Sequence, residues 1–527
     1  MRISIGKLAL LLSASVAVAS AQQSSPLQVK TETGVVEGAM QGSSRAFLGI
    51  PYAAPPVGEL RWKAPAPPIA WQGVRDATKF GARCMQGRIF DDMVFRDAGP
   101  SEDCLMLNVW TPAKVDKKKL PVMVWIHGGG FVAGASSEPR QDGATLAAEG
   151  VVVVSMNYRM GIFGFFELPE LITDSGKNAA GNYGLLDQVA TLQWVKKNIA
   201  AFGGDPGNVT IFGESAGSFS VSELMASPLA KGLFQRAIGE SGADFPTHTT
   251  PTLTLEQSAK GGAEYAKKVL GTDSLKELRA IPADKLLETV SKPGSERLGP
   301  SIVVVDGYFL PKPVREIFAA GAQNDVPLLA GWNRDEGGGA VLSAKPPLTA
   351  ASVKELGEKE FKDKAEEFFK LYVVTDDATA VRSWEDFAGD RFIAFGTWKW
   401  MEAESATGKS PVYRYQFDEA PPDDPSRQPG MGAFHSSEIE YVFGTLEWRI
   451  PTLWTNEDKA LSGLMRKYWT NFAKNGNPNG TSLPQWPAYK PNGDAQVMHL
   501  SGKSKAAKDG QRGRYEFLKK AWETSFP

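Results

Sequence analysis

At 527 residues the chain exceeds the roughly 250–300 residues that a single hydrophobic core usually serves, so it is either two domains or one large α/β domain with insertions. Its apolar share of 42% and charged share of 22% are ordinary for a globular protein. A formal net charge of -2 gives no ground for a nucleic-acid partner or an anionic membrane surface.

The first residues read as a signal peptide. Arg2 and Lys7 are basic, Leu8 to Val18 is apolar, and Ala19-Ser20-Ala21 is a small-x-small cleavage site. The alternative is a buried N-terminal helix. Cleavage near Ala21 leaves residues 22–527 as an exported domain, secreted or periplasmic. No later apolar run is long enough to span a bilayer. Export also favours a disulfide between Cys84 and Cys104 over two free buried thiols. Neither cysteine has a histidine nearby, so a zinc site is not expected.

Leu120 to Ile126 is a near-continuous apolar run, as expected of a strand buried on both faces. His127-Gly128-Gly129-Gly130 follows it, an HGGG-type loop suited to aiming backbone amides at an oxyanion. A phosphate cradle is the other reading of such a loop, but neither G-K-[ST] nor G-x-G-x-x-G accompanies it. Val151 to Met156 is a second buried strand, and Leu186 to Phe202 has helical spacing that Gly203-Gly204-Asp205-Pro206 stops.

Next comes the strand Val209 to Phe212, then Gly213-Glu214-Ser215-Ala216-Gly217, with helical character from Ser218 to Ala226. G-x-S-x-G between strand and helix is a nucleophile elbow, in which flanking glycines relieve a crowded, strained turn. Further strands are expected at Ala237-Ile238, Val326 to Ala330 and Val412 to Phe417, with an amphipathic helix over Leu461 to Lys474. Lys345–Pro347 and Pro421–Gly432 read as excursions. Strands interleaved with helices predict an α/β fold, a mostly parallel central sheet flanked by helices.

Ser215 needs a base. Of the four histidines, His127 precedes the serine and His248 lies too close to it, given the chain order serine, acid, histidine. His435 sits on a loop ahead of Ile439 to Phe443, and His499 is its rival. The acid belongs to Asp335-Glu336-Gly337, at the C-terminal end of a strand, where such sheets keep their sites. Position alone leaves Asp335 and Glu336 both open.

Several blocks together carry a family resemblance. They include Phe47-Leu48-Gly49-Ile50-Pro51-Tyr52-Ala53, Ser101-Glu102-Asp103-Cys104-Leu105, Asn182-Tyr183-Gly184-Leu185-Leu186-Asp187-Gln188, Glu240-Ser241-Gly242 and Asn333-Arg334-Asp335-Glu336-Gly337. The chain resembles the type-B carboxylesterases of the cholinesterase-like family, and within it the bacterial para-nitrobenzyl esterases. The resemblance implies an α/β-hydrolase fold with loop and helical excursions around a gorge. It implies a triad of Ser215, Glu336 and His435, oxyanion amides at Gly129, Gly130 and Ala216, and supporting hydrogen bonds from Glu214 and Ser241. It pairs Cys84 with Cys104.

The implied chemistry is two-step acyl transfer on a small-molecule ester, without metal or cofactor. One block departs from the family. Where choline-ester specialists carry aromatic acyl-pocket residues, this chain reads Arg297-Leu298-Gly299-Pro300-Ser301, which weakens an acetylcholine reading. Leu298 is then a candidate pocket residue. Trp398 and Trp400 either line the gorge or belong to the core. The rival functions are a lipase, which would show a rate jump above substrate solubility, an acyltransferase, which would partition product toward added alcohol, and a non-catalytic binding module of the same fold.

Overall fold

The computed structural model describes residues 27–114, 118–245, 253–294, 303–425, 430–491 and 494–523. The expected signal peptide (residues 1–21), His248 and Leu298 lie outside the described residues.

One sheet organises the chain. Its strands are β1 (Ala39–Gln41), β2 (Ser44–Pro51), β3 (Met106–Pro112), β4 (Leu120–Ile126), β5 (Val152–Met156) and β6 (Gly204–Glu214), then β7 (Arg236–Glu240), β8 (Leu328–Asn333), β9 (Val412–Phe417), β10 (Gln496–Leu500) and β11 (Lys505–Lys508). These 11 strands lie in the order β11-β10-β9-β8-β7-β6-β4-β5-β3-β2-β1. Every neighbouring pair from β10 across to β5 is parallel. The flanks pair antiparallel.

Burial on both faces explains the unbroken apolar runs. In β4, Val122, Val124 and Ile126 face one core, while Met123 and Trp125 face the other. The first face is covered by α1 (Tyr183–Asn198), α2 (Ala216–Ala226) and α3 (Phe395–Thr407). The second is covered by α4 (Ile439–Phe443) and α5 (Asn456–Asn475). Thr455 caps α5 through a reciprocal box with Asp458, and Gly476 ends it in a left-handed conformation.

Two elements differ from their expected form. β6 starts at Gly204, because Gly203 ends the preceding helical turn in a left-handed conformation and Gly204-Asp205-Pro206 is taken into the strand as an irregular entry before Val209. β9 alternates in sequence, a pattern that suits a strand with one face buried, yet all of it is buried, with Arg414 held by Asp509 and stacked 4.4 Å over Trp332. Trp398 and Trp400 belong to the core under α3.

Cys84 and Cys104 are joined, their Cα atoms 4.9 Å apart. The disulfide closes a loop that brings Phe90, Met93 and Val94 to the rim of the main cavity. Among the described residues, no helix is long and apolar enough to cross a membrane.

Candidate active site

The ends of β4, β6, β7 and β8 converge at one edge of the sheet, and the site is assembled from the loops that leave them. After β6 the chain turns at Ser215 with φ 54° and ψ -122° and enters α2 directly. A left-handed φ at a serine is strained and persists only where its surroundings enforce it. The flanking glycines make that possible by close approach. A Cβ on Gly213 would lie 2.6 Å from the Ile126 carbonyl oxygen, and one on Gly217 only 1.9 Å from that atom.

His435 Nε2 lies 2.9 Å from Ser215 Oγ, and its Nδ1 lies 2.6 Å from Glu336 Oε2. An ionised carboxylate only accepts, so Nδ1 donates to Glu336, and Nε2 is left as the acceptor for the serine hydroxyl. Glu336 is fixed on its other oxygen. Ser241 Oγ donates to Oε1 at 2.6 Å, and the Asn333 backbone N–H donates to the same oxygen at 2.9 Å. The Ser215 amide is held by the Glu240 carbonyl at the end of β7.

The neighbours left open by position separate sharply. Asp335 turns away to accept from Arg334, Arg382 and the Ala433 amide. His499 sits on β10 with its Nδ1 2.7 Å from Asp418. His127 is buried against Tyr158, ring centroids 4.4 Å apart, and burial pushes its pKa down to about 4, partly offset by its contact with the Gly128 carbonyl.

Charge at the site is unusual. Glu214 Oε1 approaches His435 Nε2 to 3.3 Å. Burial opposes a charged imidazole, but the carboxylates of Glu214 and Glu336 outweigh it and raise the His435 pKa. Burial also raises Glu214, against the pull of His435 and Arg140.

Gly129, Gly130, Glu214, Ser215, Ala216 and His435 line one cavity of about 1320 Å³. Gly129 and Gly130 take positive φ, 104° and 62°, and a Cβ on Gly129 would meet the Ala133 carbonyl oxygen at 2.0 Å. Ala216 opens α2, so its N–H has no acceptor within the helix. Amides so placed can take up a developing negative oxygen.

Sequence reasoning missed Asn333 and Glu438. Asn333 holds Glu336 through its backbone and donates from its side chain to Glu438 and to the Phe434 carbonyl. Their signal was adjacency: Asn333 opens the Asp335-Glu336 block, and Glu438 follows His435 by one turn.

The sequence profile of the carboxylesterase family matches residues 25–518. The chain belongs to the carboxylesterase family. This carboxylesterase is 37% identical over 504 residues to a fumonisin B1 esterase of Sphingopyxis macrogoltabida, covering 93% of this chain and 89% of that one. It is 39% identical over 481 residues to a para-nitrobenzyl esterase of Bacillus subtilis (strain 168), covering 88% and 92%. A solved thermophilic para-nitrobenzyl esterase superposes with a TM-score of 0.79 at 36% identity, covering 94% of this chain and all of that one. The fold is therefore that of the α/β-hydrolases, and the carboxylesterase is a carboxylic ester hydrolase.

Proposed function

We propose that this carboxylesterase works through Ser215, His435 and Glu336 and a covalent acyl-enzyme. His435 Nε2 takes the Ser215 proton as Oγ attacks the ester carbonyl carbon. The carbonyl oxygen becomes an oxyanion received by the amides of Gly129, Gly130 and Ala216, each such donor contributing about 2.7–4 kcal/mol in comparable sites. The His435 imidazolium, oriented by Glu336, then protonates the departing alcohol. Water attacks the acyl-enzyme by the same route and releases the acid and free Ser215. Ser241 and Asn333 hold Glu336 in place.

The observation that carries this reading is the continuous contact Ser215 Oγ, His435 Nε2, His435 Nδ1 and Glu336 Oε2, at 2.9 and 2.6 Å. A non-catalytic binding module has no need of that contact or of a strained serine. The size of the cavity, and relatives named for fumonisin B1 and para-nitrobenzyl esters, favour a broad carboxylic ester substrate over a choline ester.

The test is hydrolysis of para-nitrophenyl esters from acetyl to palmitoyl, with Ser215→Ala as control. The variant is expected to lose at least about 10⁴-fold in kcat; an unchanged rate refutes the mechanism. We also propose export with cleavage near Ala21, supported by the basic-apolar-small pattern of residues 2–21 and by the Cys84–Cys104 disulfide. N-terminal sequencing of the mature protein, expected to begin at Gln22, tests it.

A further inference from the structure

Beyond presenting Ser215, α2 builds a wall of the cavity. Ala216, Phe219 and Glu223 follow at helical spacing, and all three line it. At 1.5 Å per residue, the seven steps from Ala216 to Glu223 carry the helix backbone about 10 Å from the oxyanion amide.

Glu223 is 1% exposed, and its Oε2 has no hydrogen-bond partner among the described residues. Buried carboxyl oxygens are normally satisfied, because leaving one bare forfeits its hydration for nothing. A second acid stands beside it. Asp244, in the turn after β7, lines the same cavity, and its backbone N–H donates to Ser222 Oγ at 2.9 Å, which ties that turn to the residue before Glu223.

The charges around this pair are few. Burial, then the neighbouring charge of Asp244, pushes Glu223 well above the ordinary carboxyl range. Burial raises Asp244 to about 6, against the pull of Arg315. Tyr158 also feels Glu223, but its hydroxyl is committed to the His127 carbonyl at 2.7 Å. Among the described residues, no cation figures in the groups acting on Glu223. Two acids placed together repel unless a proton or a cation joins them. A hydroxyl would satisfy a protonated Glu223 alone and would make no use of Asp244.

We infer that Glu223 and Asp244 form a subsite for a protonated amine carried by the ester substrate, about 10 Å from the carbonyl that Ser215 attacks. The inference rests on Ser215 being the nucleophile. An ammonium supplies the donors that the bare oxygen lacks and, among the described residues, the only positive charge acting on Glu223 itself, Arg315 acting on Asp244 alone.

Two matched ester pairs test it, differing by ammonium against methyl. Para-nitrophenyl 8-aminooctanoate against para-nitrophenyl nonanoate probes the acyl side. 8-Aminooctyl acetate against nonyl acetate probes the alcohol side. The readout is the ratio of kcat/KM within each pair, for wild type, Glu223→Gln and Asp244→Asn, so that a general loss of activity cancels. The ammonium ester is expected to be preferred by at least about tenfold in one pair, in line with a hydrogen bond between charged groups. That preference should collapse in Glu223→Gln and weaken in Asp244→Asn. No preference in either pair, or one that survives Glu223→Gln, overturns the subsite. Failure of the underlying mechanism is distinguishable: Ser215→Ala would then hydrolyse the nonanoate ester as fast as wild type.

Discussion

Glu214→Gln separates the electrostatics of this site from its geometry. His435 lies between two carboxylates, Glu336 at 2.6 Å from Nδ1 and Glu214 at 3.3 Å from Nε2. At 3.3 Å and an effective dielectric of about 20, a unit charge pair is worth about 5 kcal/mol, an upper bound before cavity water screens it. A residual effect of about 1.4–2.7 kcal/mol corresponds to one to two pH units. The sign follows from the role of general base that we propose for His435. The base must be neutral, a raised pKa keeps it charged to higher pH, and activity is lost as pH falls through that pKa. Removing the Glu214 charge lowers the His435 pKa, so the acid limb of kcat/KM should move down by about one to two units. The imidazolium formed in the transition state loses the same attraction, so the plateau should fall about 10–100-fold. Full pH–rate profiles with a para-nitrophenyl ester give both readings. An acid limb that stays put, or moves to higher pH, refutes the assignment of Glu214 as the charge that holds His435 up.

Three further perturbations follow from packing and burial. In Gly217→Ala the new Cβ would sit 1.9 Å from the Ile126 carbonyl oxygen on a central strand, so thermal stability should fall by about 1–3 kcal/mol or more and activity with it; a variant with wild-type Tm and rate contradicts the close approach. Glu404 is raised to about 8 by burial, against a hydrogen bond from Gln323. Its folded form keeps a proton that the unfolded chain releases near pH 4.5, so it lowers stability by up to about 1.4 kcal/mol per unit as pH rises between those values. The Tm of Glu404→Gln relative to wild type should therefore climb from pH 5 to pH 8, and a flat difference contradicts it. Removing the disulfide with Cys84→Ser and Cys104→Ser should reduce stability by roughly 3 kcal/mol in chemical denaturation. It should also raise KM more than it lowers kcat, because the loop it closes brings Phe90 and Met93 to the cavity.

Local chemistry makes much of this protein legible in its sequence alone. Leu120–Ile126 and Val412–Phe417 are strands with the bounds their apolar and alternating patterns imply, because a strand between helices must bury its side chains where it stands. The elbow was readable because its strain is local: a serine forced to positive φ needs glycines on both sides. The flanking strands β2 and β3 were not read from their pattern, since their pairing is antiparallel and decided by partners far along the chain. The same limit governs the site. Asp335 and Glu336 are adjacent and equally acidic, and only the turn after β8 sends one to two arginines and the other to the imidazole. His435 outranks His499 because the fold closes 220 residues of chain to bring it within 2.9 Å of Ser215, whereas β10 leaves His499 beside Asp418. Glu223 looked like an ordinary helix residue, and only the packing of α2 and the turn after β7 leaves its Oε2 buried without a partner among the described residues, with a second acid on the same cavity wall. Residue type and spacing set which chemistry is available, but contact between groups far apart in sequence is a property of the folded chain, because only burial and strand order bring them together.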